Sequence, residues 1–458
     1  MKRLLLGVTV LGVLVAAGFD YAASRIDANY HALLLEGDAA AGRGDYVAAV
    51  EAFSGAIAWK PDAMAAHLKR GEAYRRREDY ETAMRDLRRA AELDPTAPRP
   101  RELLGDVSYA MERYVRAAER YAEYIALDDS SPRLHYKLAL AQYRAGQPAA
   151  CVDALMTGIR LDANSAEAHY LMGLCLQDGQ RPRDALAVFE RAVSLNPALL
   201  QNREELAEEY ARLGRSDDQI TQLVALLAHQ PGPSREVALG LAYATAGDHS
   251  SAVEALSRTA RRYPAHRHTY VALGRVWLAQ AEARNDRVAL GKALDALQHA
   301  VGGDDNGEAL ALLGRALLRS DELEPAERVL QEATQKLPVD PLAFFDLAET
   351  AERLGHFEVA REALLDYCAL DEPADERTAA RLWLRIGDLS VRLQDSHTAL
   401  TYYTRALPHL EDDPGALVRV AEAQFKAGKT DDALGTVDRA LAKEPGNAAA
   451  VALRRKLR

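Results

Sequence analysis

The chain has 458 residues, of which 48% are apolar, 27% charged and only 6% aromatic, a balance that suits helices packed through small side chains. Apolar content at this level can offset ordering entropy and so excludes wholesale disorder. A formal charge of -11 is the reverse of the basic surface that a nucleic-acid binder presents, so nucleic acid is not expected as a partner.

At the amino terminus, Lys2 and Arg3 precede an uncharged apolar run from Leu4 to Phe19, which Asp20 ends. A short basic flank before such a run predicts that residues 1–24 are an export signal or an amino-terminal membrane anchor. Small residues at Ala16, Ala17 and Gly18, and again at Ala22, Ala23 and Ser24, provide two places for cleavage. The run is shorter than the ~20 residues that span a hydrocarbon core, but Tyr21, Ala22 and Ala23 extend it enough for an anchor. In both readings the positive flank stays cytoplasmic and the rest of the chain faces the periplasm of a bacterial cell envelope. Membrane contact is then expected only through residues 1–24. A buried first helix of a cytoplasmic protein is the other reading of the same run.

From here the chain repeats. A Gly or Ala stands at Gly37, Gly71, Gly105, Ala139, Gly173 and Ala207, each step being 34 residues. The series continues at Gly240, Gly274, Gly314, Ala348, Gly387 and Ala421 with one shorter and two longer steps. Twelve residues after most of these comes a second small residue, as at Ala49, Ala83, Ala117, Cys151, Ala185, Ala252, Ala326, Ala360, Ala399 and Ala433. Four further on is a large one, such as Phe53, Leu87, Tyr121, Leu155, Phe189, Leu223, Leu256, Leu330 or Tyr403. Prolines at Pro61, Pro95, Pro197, Pro231, Pro264, Pro338 and Pro445 end the units. Glycines at Gly44, Gly146, Gly214, Gly247, Gly355 and Gly428 mark a turn inside them.

The spacing predicts twelve units of two amphipathic helices, near residues 30–63, 64–97, 98–131, 132–165, 166–199, 200–232, 233–266, 267–306, 307–340, 341–379, 380–413 and 414–447. The first small residue lets the second helix approach closely, and the Ala twelve residues on is expected to face it. Two departures are expected as loops: about seven extra residues around Glu282 to Val288, and a longer link from Asp371 to Thr378. Residues 448–458 read as a capping helix, with Asn447 as its N-cap and Arg454, Arg455, Lys456 and Arg458 at its carboxyl end. The three cysteines, Cys151, Cys175 and Cys368, are too few and scattered for a disulfide framework and read as small core residues.

These residues resemble the tetratricopeptide repeat. Met172, Gly173, Ala185, Phe189, Ala192 and Pro197 follow its pattern well, as do Gly71, Tyr74, Ala83, Leu87, Ala90 and Pro95, and Trp383 with Ile386 and Gly387 supplies an aromatic start. The resemblance runs from about residue 30 to the end. It implies an all-α, right-handed superhelical solenoid of about twelve antiparallel helix pairs with a carboxyl-terminal capping helix. It also implies a protein that binds protein or peptide segments in a concave groove, carries no cofactor or metal, and catalyses nothing. The family register places Arg99, Tyr109, Arg133, Tyr136, Lys137, Tyr143, Arg144 and Tyr170 on that groove, a surface suited to an extended segment. The same tyrosines could instead pack between helices. The register also offers an apolar stretch at Val237, Leu241, Val271 and Leu278, and a solvated acidic face at Glu204, Glu205 and Glu208.

Some members of the family clamp chaperone carboxyl termini through Lys, Arg and Asn. Here the matching places hold Leu34, Asp38, Leu68 and Glu72, so that role is not expected. No phosphate-binding loop, H-E-x-x-H or G-x-S-x-G occurs. His266 and His268 are too few for a metal site. The Gly302–Gly307 segment lacks the alternating carboxylates of a calcium loop and reads as a turn. Two functions stay open: an envelope-side scaffold, and a cytoplasmic regulatory or co-chaperone-like adaptor.

Overall fold

Small residues at fixed spacing bring two helices of a unit together, and a residue in the left-handed region folds the second back on the first. The computed structural model describes residues 2–302, 307–371, 373–409 and 413–458, with side chains from residue 21 onward. Two bodies are present, residues 1–209 and 210–458.

In the first body the pairs are α1 (Lys2–Gly42) with α2 (Tyr46–Trp59), α3 (Met64–Arg76) with α4 (Tyr80–Leu93), and α5 (Arg99–Ala110) with α6 (Tyr114–Ile125). Then come α7 (Pro132–Arg144) with α8 (Pro148–Leu161), α9 (Ala166–Asp178) with α10 (Pro182–Leu195), and α11 (Leu200–Arg212), which belongs here as far as Glu209. The second body holds α12 (Ser216–His229), then α13 (Pro233–Thr245) with α14 (His249–Arg262), and α15 (Arg267–Arg284) with α16 (Arg287–Ala300). It continues with α17 (Gly307–Arg319) and α18 (Leu323–Ala333), α19 (Pro341–Leu354) and α20 (Phe357–Leu370), and α21 (Glu376–Arg392) and α22 (Ser396–Ala406). The pair α23 (Pro414–Lys426) and α24 (Thr430–Lys443) comes last, capped by α25 (Ala448–Leu457). The fold is an all-α solenoid of helix pairs, with no strand among the described residues.

Within each pair the small residues do what their spacing predicts, with one change of partner. A Cβ built at Gly173 would lie 2.1 Å from the Phe189 ring, and one at Gly105 would lie 2.5 Å from Tyr121. The residue seated on these glycines is therefore the large one sixteen places on, not the Ala twelve places on; on Gly274, whose unit is longer, it is Leu297, twenty-three places on. Those alanines, Ala49, Ala83 and Ala185 among them, are fully buried, so they too must be small. The glycine and the alanine clear space for one large ring or branched chain, which is why all three recur together.

Six inter-helix turns use the expected glycines, all at positive φ; Gly247, for example, has φ 84°. The other six place Glu78, Glu112, Gln180, Asn285, Asp321 and Gln394 in the same left-handed conformation, where an L-residue is strained. The prolines follow the second helices as expected, with Pro61 two residues beyond Trp59 and Pro95 two beyond Leu93.

Units of the first body are latched by a bond that sequence spacing left unseen. His67 contacts the Pro61 carbonyl at 2.9 Å, Arg101 that of Pro95 at 2.7 Å, and His135 that of Asp129 at 3.1 Å. His169 reaches Ala163 O at 3.2 Å and Arg203 reaches Pro197 O at 2.8 Å, so the device recurs in the 34-residue register. Each ties the start of a first helix to the turn before it, whose carbonyls have no helical partner.

The cysteine expectation is corrected. Cys151 and Cys175 are both fully buried and joined in a disulfide, linking α8 to α9 across a unit boundary with their Cα atoms 6.2 Å apart. Thirty-four-residue stacking brings together two cysteines whose spacing matches no known framework. Cys368 is free and partly buried.

The two expected loops also differ. Of Glu282 to Val288, the first three residues extend α15, which has 18 residues where α13 and α17 have 13. Asn285 makes the turn and Asp286 caps α16, accepting from Val288 N at 2.8 Å. The link after α20 is short, because Asp375 already caps α21 and accepts from Thr378 N at 2.8 Å; Glu372 lies outside the described residues. Asn447 caps α25 as expected, accepting from Ala450 N at 3.0 Å, with Arg454, Arg455 and Lys456 in the last turn.

Residues 2–24 run without a break into the first unit, since α1 is one helix from Lys2 to Gly42. The side chains of the apolar run, to residue 20, lie outside the described residues. Among the described residues no helix is long and apolar enough to cross a membrane.

Candidate functional site

First helices of successive units lie side by side, so residues one repeat apart continue one another across the surface. Tyr136 and Tyr170 share one register, and Tyr109 and Tyr143 share another two turns along; all four are half-buried. The rings of Tyr109 and Tyr170 lean on the second helices of their own units, with centroids 5.2 Å from Tyr114 and 6.1 Å from Phe189. By contrast Tyr121 and Tyr403, on second helices, are core residues at 3% and 2% exposure. The first-helix tyrosines thus have one edge packed and one edge in solvent. Burial raises the pKa of Tyr136, Tyr143 and Tyr170, and neighbouring carboxylates push the same way. Their hydroxyls stay protonated and able to donate.

Three of the expected groove cations are already committed. Glu102, only 2% exposed, accepts from Arg99 at 2.7 Å, Arg133 at 2.6 Å and Lys137 at 2.8 Å. Lys137 also reaches Asp106 at 2.7 Å, and Asp106 accepts the Tyr121 hydroxyl at 2.8 Å. Burial works to raise the Glu102 pKa, but the three cations outweigh it and hold the carboxyl at about 2. Arg99, Arg133 and Lys137 therefore fix α5 against α7 before any partner arrives. Arg144 is exposed and has no ion-pair partner among the described residues. Glu102 and Asp106 passed unnoticed in the sequence because their partners are 31 and 35 residues away, in the next unit.

Beside Tyr136 a cleft of about 310 Å³ opens between α7, α8 and α9, with Arg133, Asp162 and Glu167 at its rim. In the register of Arg133 the next unit holds Glu167, and in that of Arg144 it holds Asp178; both acids are exposed. The expected solvated acidic face on α11 is corrected in part. Glu208 is exposed, but Glu204 and Glu205 are half-buried, and Glu209 is buried with the Gln177 amide donating to it at 2.6 Å.

In the second body the expected apolar stretch is not a surface. Val237 and Leu278 are 9% and 2% exposed and belong to the core, while Leu241, packed against the cluster of Val237, and Val271 are half-buried. Val237 and Leu278 face inward because the neighbouring unit covers this side of the first helices. The first-helix face there is instead crossed by ion pairs between units, including Arg315 to Asp346 at 2.9 Å, Arg385 to Glu352 at 2.6 Å and Arg419 to Asp388 at 2.6 Å. A polar cleft of about 750 Å³ lies beside the extension of α15, where Arg319 is paired with Glu282 and Glu349.

His266 and His268 lie with ring centroids 5.6 Å apart, and His266 bonds Thr269 at 2.9 Å. Among the described residues no group of three or more metal-ligating side chains comes together. The Gly302–Gly307 segment has residues 303–306 outside the described residues.

Comparison with known proteins follows the same register. Profiles described as tetratricopeptide repeat match residues 21–98, 237–266, 311–376 and 392–457. One described as anaphase-promoting complex, cyclosome, subunit 3 matches residues 115–192. No curated protein matches the chain. Among solved structures, the C-terminal part of a TPR repeat-containing protein from Cytophaga hutchinsonii is 15% identical with a TM-score of 0.44, covering 53% of this chain and 98% of that one. YrrB, described as a TPR protein with an unusual peptide-binding site, is 21% identical with a TM-score of 0.38, covering 42% and 98%. The Cut9–Hcn1 hetero-tetramer of the APC/C is 15% identical with a TM-score of 0.35, covering 93% and 96%. At these identities the likeness reaches no further than stacked helix pairs. The repeat matches span most of the chain in the register of its paired helices, and the protein belongs to the tetratricopeptide-repeat family of protein-interaction scaffolds.

Proposed function

We propose that this protein is a non-catalytic scaffold of the bacterial cell envelope that holds an extended segment of another protein on the tyrosine face of α5, α7 and α9. The observation that carries this reading is the contrast between tyrosines. Tyr109, Tyr136, Tyr143 and Tyr170 keep a solvent edge, whereas Tyr121 and Tyr403 are sealed in the core. Half-buried tyrosines supply rigid contact area and a hydroxyl at low entropic cost. The ion-pair network at Glu102 holds α5 and α7 in place, so the face is formed in advance.

The envelope location rests on the basic flank and apolar run of residues 2–19, and a disulfide between Cys151 and Cys175 supports it, since disulfides persist in oxidising compartments. A fusion of residues 1–60 to alkaline phosphatase is expected to be active, and an inactive fusion ends the envelope reading. For the binding face, a photo-crosslinker at position 143 is expected to capture a partner in cells. Tyr136→Ala with Tyr143→Ala should weaken that capture while leaving the melting temperature within a few degrees; marked unfolding would instead make these rings core.

A further inference from the structure

We propose that the segment bound on the tyrosine face is basic, with lysine or arginine side chains seated along α9, one beside Tyr136 and Glu167 at the start of the helix and one beside Tyr143 and Asp178 at its end. The inference rests on the tyrosine face being the docking surface and adds the charge of what docks there. Three observations converge on it.

The first is a change of sign along the repeat register. Arg133 and Arg144 on α7 are followed, one unit later in the same places on α9, by Glu167 and Asp178. Tyr136 and Tyr170 are followed in their own register by Glu204. A segment lying across successive first helices therefore meets cations at one end and carboxylates at the other.

The second is which charges are still available. Arg99, Arg133 and Lys137 are neutralised by Glu102 and Asp106, within 2.6–2.8 Å. Glu167 and Asp178 are exposed and have no ion-pair partner among the described residues. The field that a partner feels beside Tyr136 is that of Glu167, and beside Tyr143 it is that of Asp178 opposed by the exposed Arg144. Glu167 acts on Tyr136, Asp178 on Tyr143, and Glu204 and Glu205 on Tyr170, so each ring has a carboxylate close enough to raise its pKa after burial has done so.

The third is shape. The cleft of about 310 Å³ beside Tyr136 is rimmed by Asp162 and Glu167 as well as by Arg133, and it is open to a side chain but too small for a folded domain. An aromatic face beside a carboxylate suits a guanidinium or ammonium group, which gains from both the ring quadrupole and the charge.

The test is selection of a phage-displayed random dodecapeptide library on the purified full chain, followed by fluorescence anisotropy of the enriched peptides. Enrichment of Lys or Arg is expected. Glu167→Arg with Asp178→Arg should weaken the enriched peptide about tenfold, because it replaces attraction by repulsion at two contacts. The α7 unit already accommodates arginine in both registers, so this variant should keep its melting temperature. Glu51→Arg with Glu119→Arg, on exposed sites of the second helices α2 and α6, makes the same change in net charge and should leave binding within twofold. An equal loss in that control would assign the preference to the overall charge of -11 and overturn the site. Enrichment of acidic or neutral peptides that still depend on Tyr136 and Tyr143 overturns the charge inference and leaves the docking face standing. Peptides indifferent to Tyr136→Ala with Tyr143→Ala, or no enrichment at all, bring down both.

Discussion

Tyr121 donates its hydroxyl to Asp106 at 2.8 Å while its ring lies on the bare backbone of Gly105, the residue next to that acid. Tyr403 repeats the arrangement, donating to Asp388 at 2.6 Å above Gly387. A phenol placed in the sixteenth position brings a hydroxyl into the core, and a buried hydroxyl needs an acceptor. Both units that place Tyr there hold Asp directly after the glycine. Tyr121→Phe is expected to cost about 1.5–3 kcal/mol, the worth of one hydrogen bond to a charged group. Gly105→Val, which drives a branched side chain into the ring, should cost about 3 kcal/mol or more. Urea unfolding with hydrogen exchange resolved by unit checks both, since stability in a stacked array is local.

Glu102 gives a pH signature. Its carboxyl is held at about 2 against an ordinary value of 4.5, so its contribution is complete above pH 4.5 and disappears as the pH falls toward 2. Glu102→Gln should therefore destabilise the α5–α7 region at pH 7 by about 1–3 kcal/mol and leave wild type and variant alike near pH 2. Hydrogen exchange of α5 and α7 at the two pH values is the measurement. A gap that persists at low pH would mean that packing, not charge, is responsible.

The disulfide should be visible chemically. Native protein is expected to titrate one thiol, Cys368, and to show three after denaturation with reductant. Closing a loop with a sequence separation of 24 stabilises by about 3 kcal/mol in the chain-entropy view. Cys151→Ala with Cys175→Ala should accordingly loosen α8 and α9 and leave the second body unchanged. Three free thiols in native protein isolated from oxidising conditions would rule the bridge out.

The left-handed turns offer opposed substitutions. Gln180, at φ 61°, occupies the place that Gly247 fills at φ 84°. Gln180→Gly should be neutral or stabilising, because relief of the strained conformation opposes the added freedom of the unfolded chain. Gly247→Ala should destabilise by about 1 kcal/mol. Local exchange rates around each turn distinguish the two cases.

The residues themselves determined the repeat, its length, its pairing of helices, and the positions of turns and caps. They could do so because each unit packs only against its neighbours, so contacts recur at a constant spacing and leave a periodic trace of Gly, Ala and Pro. The shared register of the first-helix tyrosines was readable for the same reason. What tertiary structure decided is everything that depends on how one unit is set against the next. Sequence order does not show that Glu102 would draw in Arg133 and Lys137, or that Cys151 and Cys175 would meet. It likewise does not show that Val237 and Leu278 would be covered, or that the residues after Glu282 would lengthen a helix. Those outcomes follow from the angle and rise between stacked pairs, which no single unit encodes and which only packing of many side chains at once can settle.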